Sequence, residues 1–600
     1  MKYIEGKNVR ITDGFWRAKQ NLNRNATINA VWDRFSDTGR IEAFEFKWRD
    51  GMDNKPHFFW DSDVAKWMEG AAYLIEEEYD ETLEKRVEYL IDCIEKNQGE
   101  DGYFNIFFTV CEPEERFRKR EWHELYCAGH LIEAAVAYYR ATGRDRFLKC
   151  MEKYTDYIYQ VFVVDKSADF ITPGHQEIEL ALVRMYNAIG KDKYLELAKF
   201  FVDNRGVNDE STQERNNRLY NQSHLPAREQ REAVGHAVRA CYWYKGMADV
   251  AYETGDKELF EACRELFEDI IAKKMYITGG IGSTHIGEAF TIPYDLPNDK
   301  AYNETCASIA MMFLGKSMMK HENKSIYADI IEKELYNGML SGWSLDGKAF
   351  FYENPLEINL DNYKRYENLR DTERYPITQR KEVFDCSCCP PNINRTIATI
   401  NEYIYGIDGD VVYVNQFMTS EAEYDGIKVW QKTNYPACGK VELAFENTKV
   451  AMIRKPAWCD EFTVDCEYTE ENGYIKVVNP KDVTVEFAMK PVLMRAKSDV
   501  VQNAARVALM YGPVVYCAES VDNIENLSAL YINKDINAEV KFNEGFGMNE
   551  VLVDGYIENA STELYSKYNE DFEGTKIKMI PYCCFANRGE TNMLVWMNVR

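Results

Sequence analysis

The sequence predicts a mainly α-helical protein of repeated helix pairs, followed by a β-sandwich region. Three observations predict it. From about residue 14 to 410, apolar residues recur at i, i+3 or i+4 and i+7, as in the run from Asp63 to Leu74. Similar polar turns separate these stretches: Glu78-Tyr79-Asp80-Glu81, Thr142-Gly143-Arg144-Asp145, Ile189-Gly190-Lys191-Asp192, Thr254-Gly255-Asp256-Lys257 and, in weaker form, Lys320-His321-Glu322-Asn323. Beyond about residue 410 the apolar period shortens to two.

In chain order, Val9-Arg10-Ile11 in segment 1–12 reads as a strand that joins the β-rich region. Residues 13–410 form the helical domain, with helices over Leu131 to Tyr139, Ile178 to Tyr186, Ala237 to Tyr252 and Ala307 to Met319. Each polar turn is a helix stop followed by a new start. Hairpins repeating roughly every fifty to sixty-five residues describe an open solenoid or a closed ring. Glycine- and aromatic-rich segments such as Gln98 to Phe104 and Thr278 to Ser283 favour the ring, because they suit a pocket at one mouth. The last helix is expected over Asn392 to Ile404. In 411–600, the alternating runs Val411 to Val414, Ile427 to Trp430, Val441 to Ala444 and Val483 to Phe487 read as strands of one or more sandwich domains.

Six hundred residues are too many for a single ordinary core. A net charge of −27 argues against nucleic acid or an anionic membrane as partner and suits a neutral or cationic small molecule. The start, MKYIEGKNVRITDGFW, lacks the apolar stretch of a secretory signal, and no run of about 18 apolar residues marks a membrane span. A cytoplasmic protein is therefore expected, with room for a homodimer. Its sixteen cysteines then read as thiols rather than a disulfide framework.

The run Asp385-Cys386-Ser387-Cys388-Cys389-Pro390-Pro391-Asn392 puts three cysteines within four residues, closed by two prolines. Thiolates this close repel one another unless a cation or a bond neutralises them, and Zn²⁺ takes such ligands readily. Glu304-Thr305-Cys306 offers a carboxylate and a thiol two residues apart as the partner segment. Together the segments hold more ligands than a closed tetrahedral site needs. Two zinc readings stand: a thiolate made available for chemistry by a lowered thiol pKa, or a structural clip onto the last helix. A vicinal disulfide is a third.

Glu288 follows the glycine-rich stretch Gly279-Gly280-Ile281-Gly282. A partly desolvated carboxylic acid there can hold a proton for a leaving group, although from the residues alone a helix N-cap or loop carboxylate is the better reading. His123, His175 and His236 each stand at or near a helix start. Equivalent positions on successive hairpins would converge on one mouth of a ring, where imidazoles can bond hydroxyl groups. Tyr352 is the best-placed aromatic to face a sugar ring.

With these residues in view, the chain resembles the β-L-arabinofuranosidases of glycoside hydrolase family 127. The resemblance runs from His123-Glu124-Leu125-Tyr126-Cys127-Ala128-Gly129-His130 through Glu304-Thr305-Cys306 to Cys386-Ser387-Cys388-Cys389-Pro390-Pro391-Asn392. It implies an (α/α)₆ toroid with C-terminal β-sandwich domains, and a retaining exo-hydrolase that acts on a small oligosaccharide or glycoside. By motif it implies zinc on Glu304, Cys306, Cys388 and Cys389, with Cys388 as nucleophile and Glu288 as acid/base. Sugar contacts map to His123, His175, His236, Glu332 and Tyr352. Competing readings are a metal-independent (α/α)₆ sugar epimerase or unsaturated-uronyl hydrolase, and a non-catalytic, zinc-stapled carbohydrate-binding protein.

Overall fold

Six helices stand side by side in a closed ring in this computed structural model, which describes residues 1–207, 218–362, 376–559, 563–567 and 571–600. In chain order the helices are α1 (Gly14–Leu22), α2 (Ile28–Asp37), α3 (Trp60–Glu77), α4 (Glu81–Asn97), α5 (Glu124–Thr142), α6 (Arg146–Tyr159) and α7 (Ile178–Ile189). They continue with α8 (Asp192–Asn204), α9 (Ala237–Thr254), α10 (Lys257–Lys273), α11 (Thr305–His321), α12 (Ser325–Lys333) and α13 (Cys389–Ala398). The inner ring runs α3, α5, α7, α9, α11, α13 and back to α3. Five inner helices are followed by their outer partner. The sixth, α13, is backed by α1 and α2 from the start of the domain, so the chain's two ends close an (α/α)₆ toroid.

The expected turns fall between helix partners for a local reason. Gly143 and Gly255 adopt left-handed conformations (φ 73° and 68°) that end α5 and α9 without a Cβ clash. Asp80 and Asp256 then cap the amides that open α4 and α10. Inner helices are buried nearly all round, as α5 is from Glu124 to Tyr138, whereas outer helices bury a single stripe. The last inner helix starts at Cys389 rather than Asn392, because Pro390 and Pro391 occupy a first turn whose amides need no intrahelical partner.

Residues 405 onward are mainly β. Val9–Ile11 pairs antiparallel with Ser420–Tyr424, as expected, and Lys2–Tyr3 adds to the facing sheet beside Tyr405–Asp408. These segments complete two six-stranded sheets. A third, ten-stranded sheet lies beyond Pro491 and takes in Glu357–Ile358 from the helical region. Among the described residues, no helix is long and apolar enough to cross a membrane.

Glu332 departs from its expected place among the sugar contacts. It lies on α12 against the β region, where its carboxylate pairs with the fully buried Arg454 at 2.5 Å and accepts from the Tyr435 hydroxyl at 2.6 Å. Trp458 Nε1 also donates to it at 3.2 Å. An outer helix presents this face to the neighbouring domain, so the carboxylate is committed to the seam rather than the pocket. Glu332→Ala leaves a buried guanidinium with Asp329 as its remaining carboxylate. Thermal denaturation is expected to show a loss of about 3–5 kcal/mol, the cost of breaking a buried pair.

Candidate active site

Every inner helix points its N-terminal end at the same mouth of the ring. Cys388, Glu304, His236 and His123 immediately precede α13, α11, α9 and α5, and His175 lies three residues before α7. Positions scattered over 265 residues, from His123 to Cys388, therefore meet at one place.

Glu304, Cys306, Cys388 and Cys389 place one ligand atom each within 4.8 Å of the others. The Sγ separations are 3.5 Å for Cys306–Cys388, 3.4 Å for Cys306–Cys389 and 3.7 Å for Cys388–Cys389. Glu304 Oε1 lies 3.4 Å from Cys388 Sγ and 3.8 Å from Cys389 Sγ. A tetrahedral zinc with Zn–S near 2.3 Å and Zn–O near 2.1 Å sets ligand–ligand edges of about 3.6–3.8 Å, so these donors are spaced as the ion requires. Glu304 Oε2 is buried without a hydrogen-bond partner. Burial pushes the Cys306 thiol up, but bonds from Cys388 and Cys389 bring it down to about 6. Glu304 is held well above the usual carboxylate range by burial and by the charge of Cys388. Four acidic groups pressed together in this way are relieved by a cation.

Glu288 Oε2 stands 3.1 Å from His236 Nε2. The Val238 and Arg239 amides donate to His236 Nδ1 at 3.2 and 3.5 Å, so the ring proton sits on Nε2 and points at the carboxylate. Burial pushes the Glu288 carboxyl up; His236, with Arg239 beyond it, more than reverses this, to about 2. The histidines form an arc, with ring centroids 5.5 Å apart for His123–His175 and 5.7 Å for His175–His236. His123 Nδ1 lies 3.0 Å from the Glu121 carbonyl and His175 Nδ1 2.8 Å from that of Gln176, which leaves each Nε2 as an acceptor. Burial lowers the pKa of both, His123 to about 3, and keeps them neutral. The Tyr352 hydroxyl lies 3.5 Å from Cys388 Sγ and 3.9 Å from Cys386 Sγ.

Residues 8–402 match the β-L-arabinofuranosidase GH127 catalytic domain, 411–487 the GH127 middle domain and 491–598 the family's C-terminal domain. The chain belongs to glycoside hydrolase family 127. It is 33% identical to a non-reducing end β-L-arabinofuranosidase of Bifidobacterium longum subsp. longum, over 98% of this chain and 99% of that one. A GH127 β-L-arabinofuranosidase from Geobacillus stearothermophilus T6 superposes with a TM-score of 0.93 at 39% identity, covering 99% of this chain and all of the other. A further GH127 β-arabinofuranosidase structure gives 0.90 at 34% identity, covering 100% and 98%.

The structure thus gathers Glu288, Glu304, Cys306, Cys388, Cys389, His123, His175, His236 and Tyr352 at one mouth of this GH127 ring, and leaves Glu332 out. Sequence reasoning missed Arg40 and Asp63. Buried Arg40 pairs with Asp63 at 3.1 Å and donates to the Phe384 and Asp385 carbonyls at 3.1 and 2.8 Å, which anchors the cysteine segment. Arg40 is 345 positions from Asp385, so no local pattern announces the contact. Elemental analysis of the purified protein is expected to find one zinc per chain. Cys306→Ser and Cys389→Ser should each lower the zinc content several-fold and the melting temperature with it, measured without reference to activity.

Proposed function

We propose that this GH127 enzyme is a retaining exo-glycosidase that releases L-arabinose from the non-reducing end of β-L-arabinofuranosides, with Cys388 as nucleophile and Glu288 as acid/base. The observation that carries the reading is the exposure pattern of the thiol group. Cys306 and Cys389 are buried, whereas Cys388 is half-buried beside Tyr352 and Glu304. Glu288 borders Glu304 from the His236 side. Cys386 is half-buried too but stands outside the four-residue ligand set, so within that set one sulfur is presented to the pocket and the other two are buried around the ion position.

Zinc bound to Glu304, Cys306, Cys388 and Cys389 would favour the thiolate form at neutral pH. The remaining steps belong to the side chains. His123 and His175 accept hydrogen bonds from sugar hydroxyls through Nε2, and the ring of helices fixes the sugar against Cys388. Glu288 is a carboxylate in the free site. Glycoside binding expels water and draws the carboxylate away from His236, so the group takes up the proton it needs. The Cys388 sulfur then bonds to the anomeric carbon while the glycosidic oxygen leaves with the Glu288 proton. In the second half Glu288 takes a proton from water, the water oxygen bonds to the anomeric carbon, and the carbon–sulfur pair returns to Cys388. Two displacements at one carbon give retention.

Cys388→Ser is expected to reduce hydrolysis of an aryl β-L-arabinofuranoside at least a thousandfold. Intact-mass and peptide analysis after treatment with a reactive arabinofuranose mimic should place the adduct on Cys388. An adduct on a carboxylate would overturn the assignment. For Glu288→Gln the loss should be much larger on poor leaving groups than on activated aryl ones; equal loss on both would remove the acid role.

A further inference from the structure

The far mouth of the ring, opposite the catalytic one, opens into a cavity of about 780 Å³. Side chains from the C-terminal halves of all six inner helices line it, together with the N-terminal segment Lys2–Lys7. Six helix C-termini favour negative potential, so a mouth built this way would ordinarily repel anions. The lining reverses that tendency: eight basic side chains face six acidic ones, in a chain whose net charge is −27.

The arrangement of the ion pairs adds to the imbalance. Lys245 and Lys320 share Asp249, at 2.5 and 3.0 Å, and the lysines are 18% and 31% exposed while the aspartate is 4% exposed. Arg184 is 22% exposed over a Glu69 that is 3% exposed. In each case both partners line the cavity, and the cation is the more exposed of the two. Arg140, on the rim, lies 3.6 Å from Glu5 in an exposed pair. Tyr139, Tyr252 and Phe313 are among the aromatic side chains that add ring surface to the lining.

We propose that this cavity binds a phosphate-bearing small molecule, its phosphoryl group held by Lys245, Lys320 and Arg184 and its organic part set against the tyrosines. Cations held in place by buried partners are organised before the ligand arrives, so little side-chain ordering opposes binding. A phosphoryl group offers several acceptor oxygens for ammonium and guanidinium donors, which is the chemistry these groups recognise. The site is independent of the glycosidase reading, since it lies at the other end of the ring and shares no residue with the catalytic mouth.

Calorimetry on the full-length zinc enzyme tests the proposal, with inorganic phosphate and ribose 5-phosphate as probes and chloride matched for ionic strength. Saturable one-to-one binding is expected. Tighter binding of the sugar phosphate assigns the aromatic wall to the ligand; equal affinity assigns the site to the phosphate ion alone. Lys320→Ala leaves Asp249 paired with Lys245, and Arg140→Ala frees an exposed pair, so both variants should fold and melt as the wild type. Each should weaken binding, Lys320→Ala tenfold or more. Glu288→Gln, at the catalytic mouth and outside the Glu304, Cys306, Cys388 and Cys389 set, should bind as the parent does. No saturable binding, binding indifferent to both basic variants, or binding lost with Glu288→Gln would overturn the proposal.

Discussion

Closure of six parallel inner helices into a ring is the constraint on which the rest of this molecule depends. Parallel packing sends all six N-terminal ends to one mouth, so the residue that precedes each helix arrives there whatever its place in the chain. Glu304 and Cys388 are 84 positions apart and still lie 3.4 Å from one another. The same arrangement sums the positive ends of six helix dipoles over the catalytic mouth, where two carboxylates and three thiols are gathered. An anionic donor set of that density would be costly in a neutral pocket, and here the backbone already favours it. At the opposite mouth the dipoles point the other way, and basic side chains answer them.

Ring closure in turn leans on the β region. The first and last helical segments meet where α1 and α2 back α13, and nothing covalent joins them there. The N-terminal strands do the joining: Lys2–Tyr3 and Val9–Ile11 enter two different sheets whose other strands follow Tyr405. Arg454, with Glu332 and Asp329, fixes the outer helix of the fifth pair to the same domain. Burial of apolar strand faces thereby opposes opening of the ring at its seam.

Much of the ring was legible in the sequence because its signals are local. Helix stops and starts at 78–81, 142–145, 189–192 and 254–257 are capping chemistry, readable from a few residues. The histidine trio was legible for the same reason, since a residue's place at a helix start fixes which mouth it faces once the helices are parallel. The thiol and carboxylate set was legible through its crowding. What escaped was non-local or turned on orientation. Lys2–Tyr3 is too short to show a period. Glu332 lies on an outer helix, and only packing against the middle domain shows that its carboxylate is taken. Arg395 pairs with Glu69 and Glu133 across the lumen, 326 and 262 positions away, and no spacing rule reaches that far.

Arg40 shows that the catalytic segment and the ring seam are one problem. A guanidinium 3% exposed is tolerated only when its donors are met, and Arg40 meets them with Asp63 of α3 and two carbonyls that precede Cys386. On its other side the cysteine segment runs into Pro390 and Pro391, whose fixed φ starts α13. The thiols are thus held between a stiff helix start and a buried ion pair that Arg40, from the segment after α2, makes with Asp63 of the neighbouring inner helix. If α13 drifted from α3, the carbonyls at 384 and 385 would leave a buried arginine unsatisfied. The geometry that spaces four ligand atoms 3.4–3.8 Å apart is therefore maintained by the contact that closes the toroid.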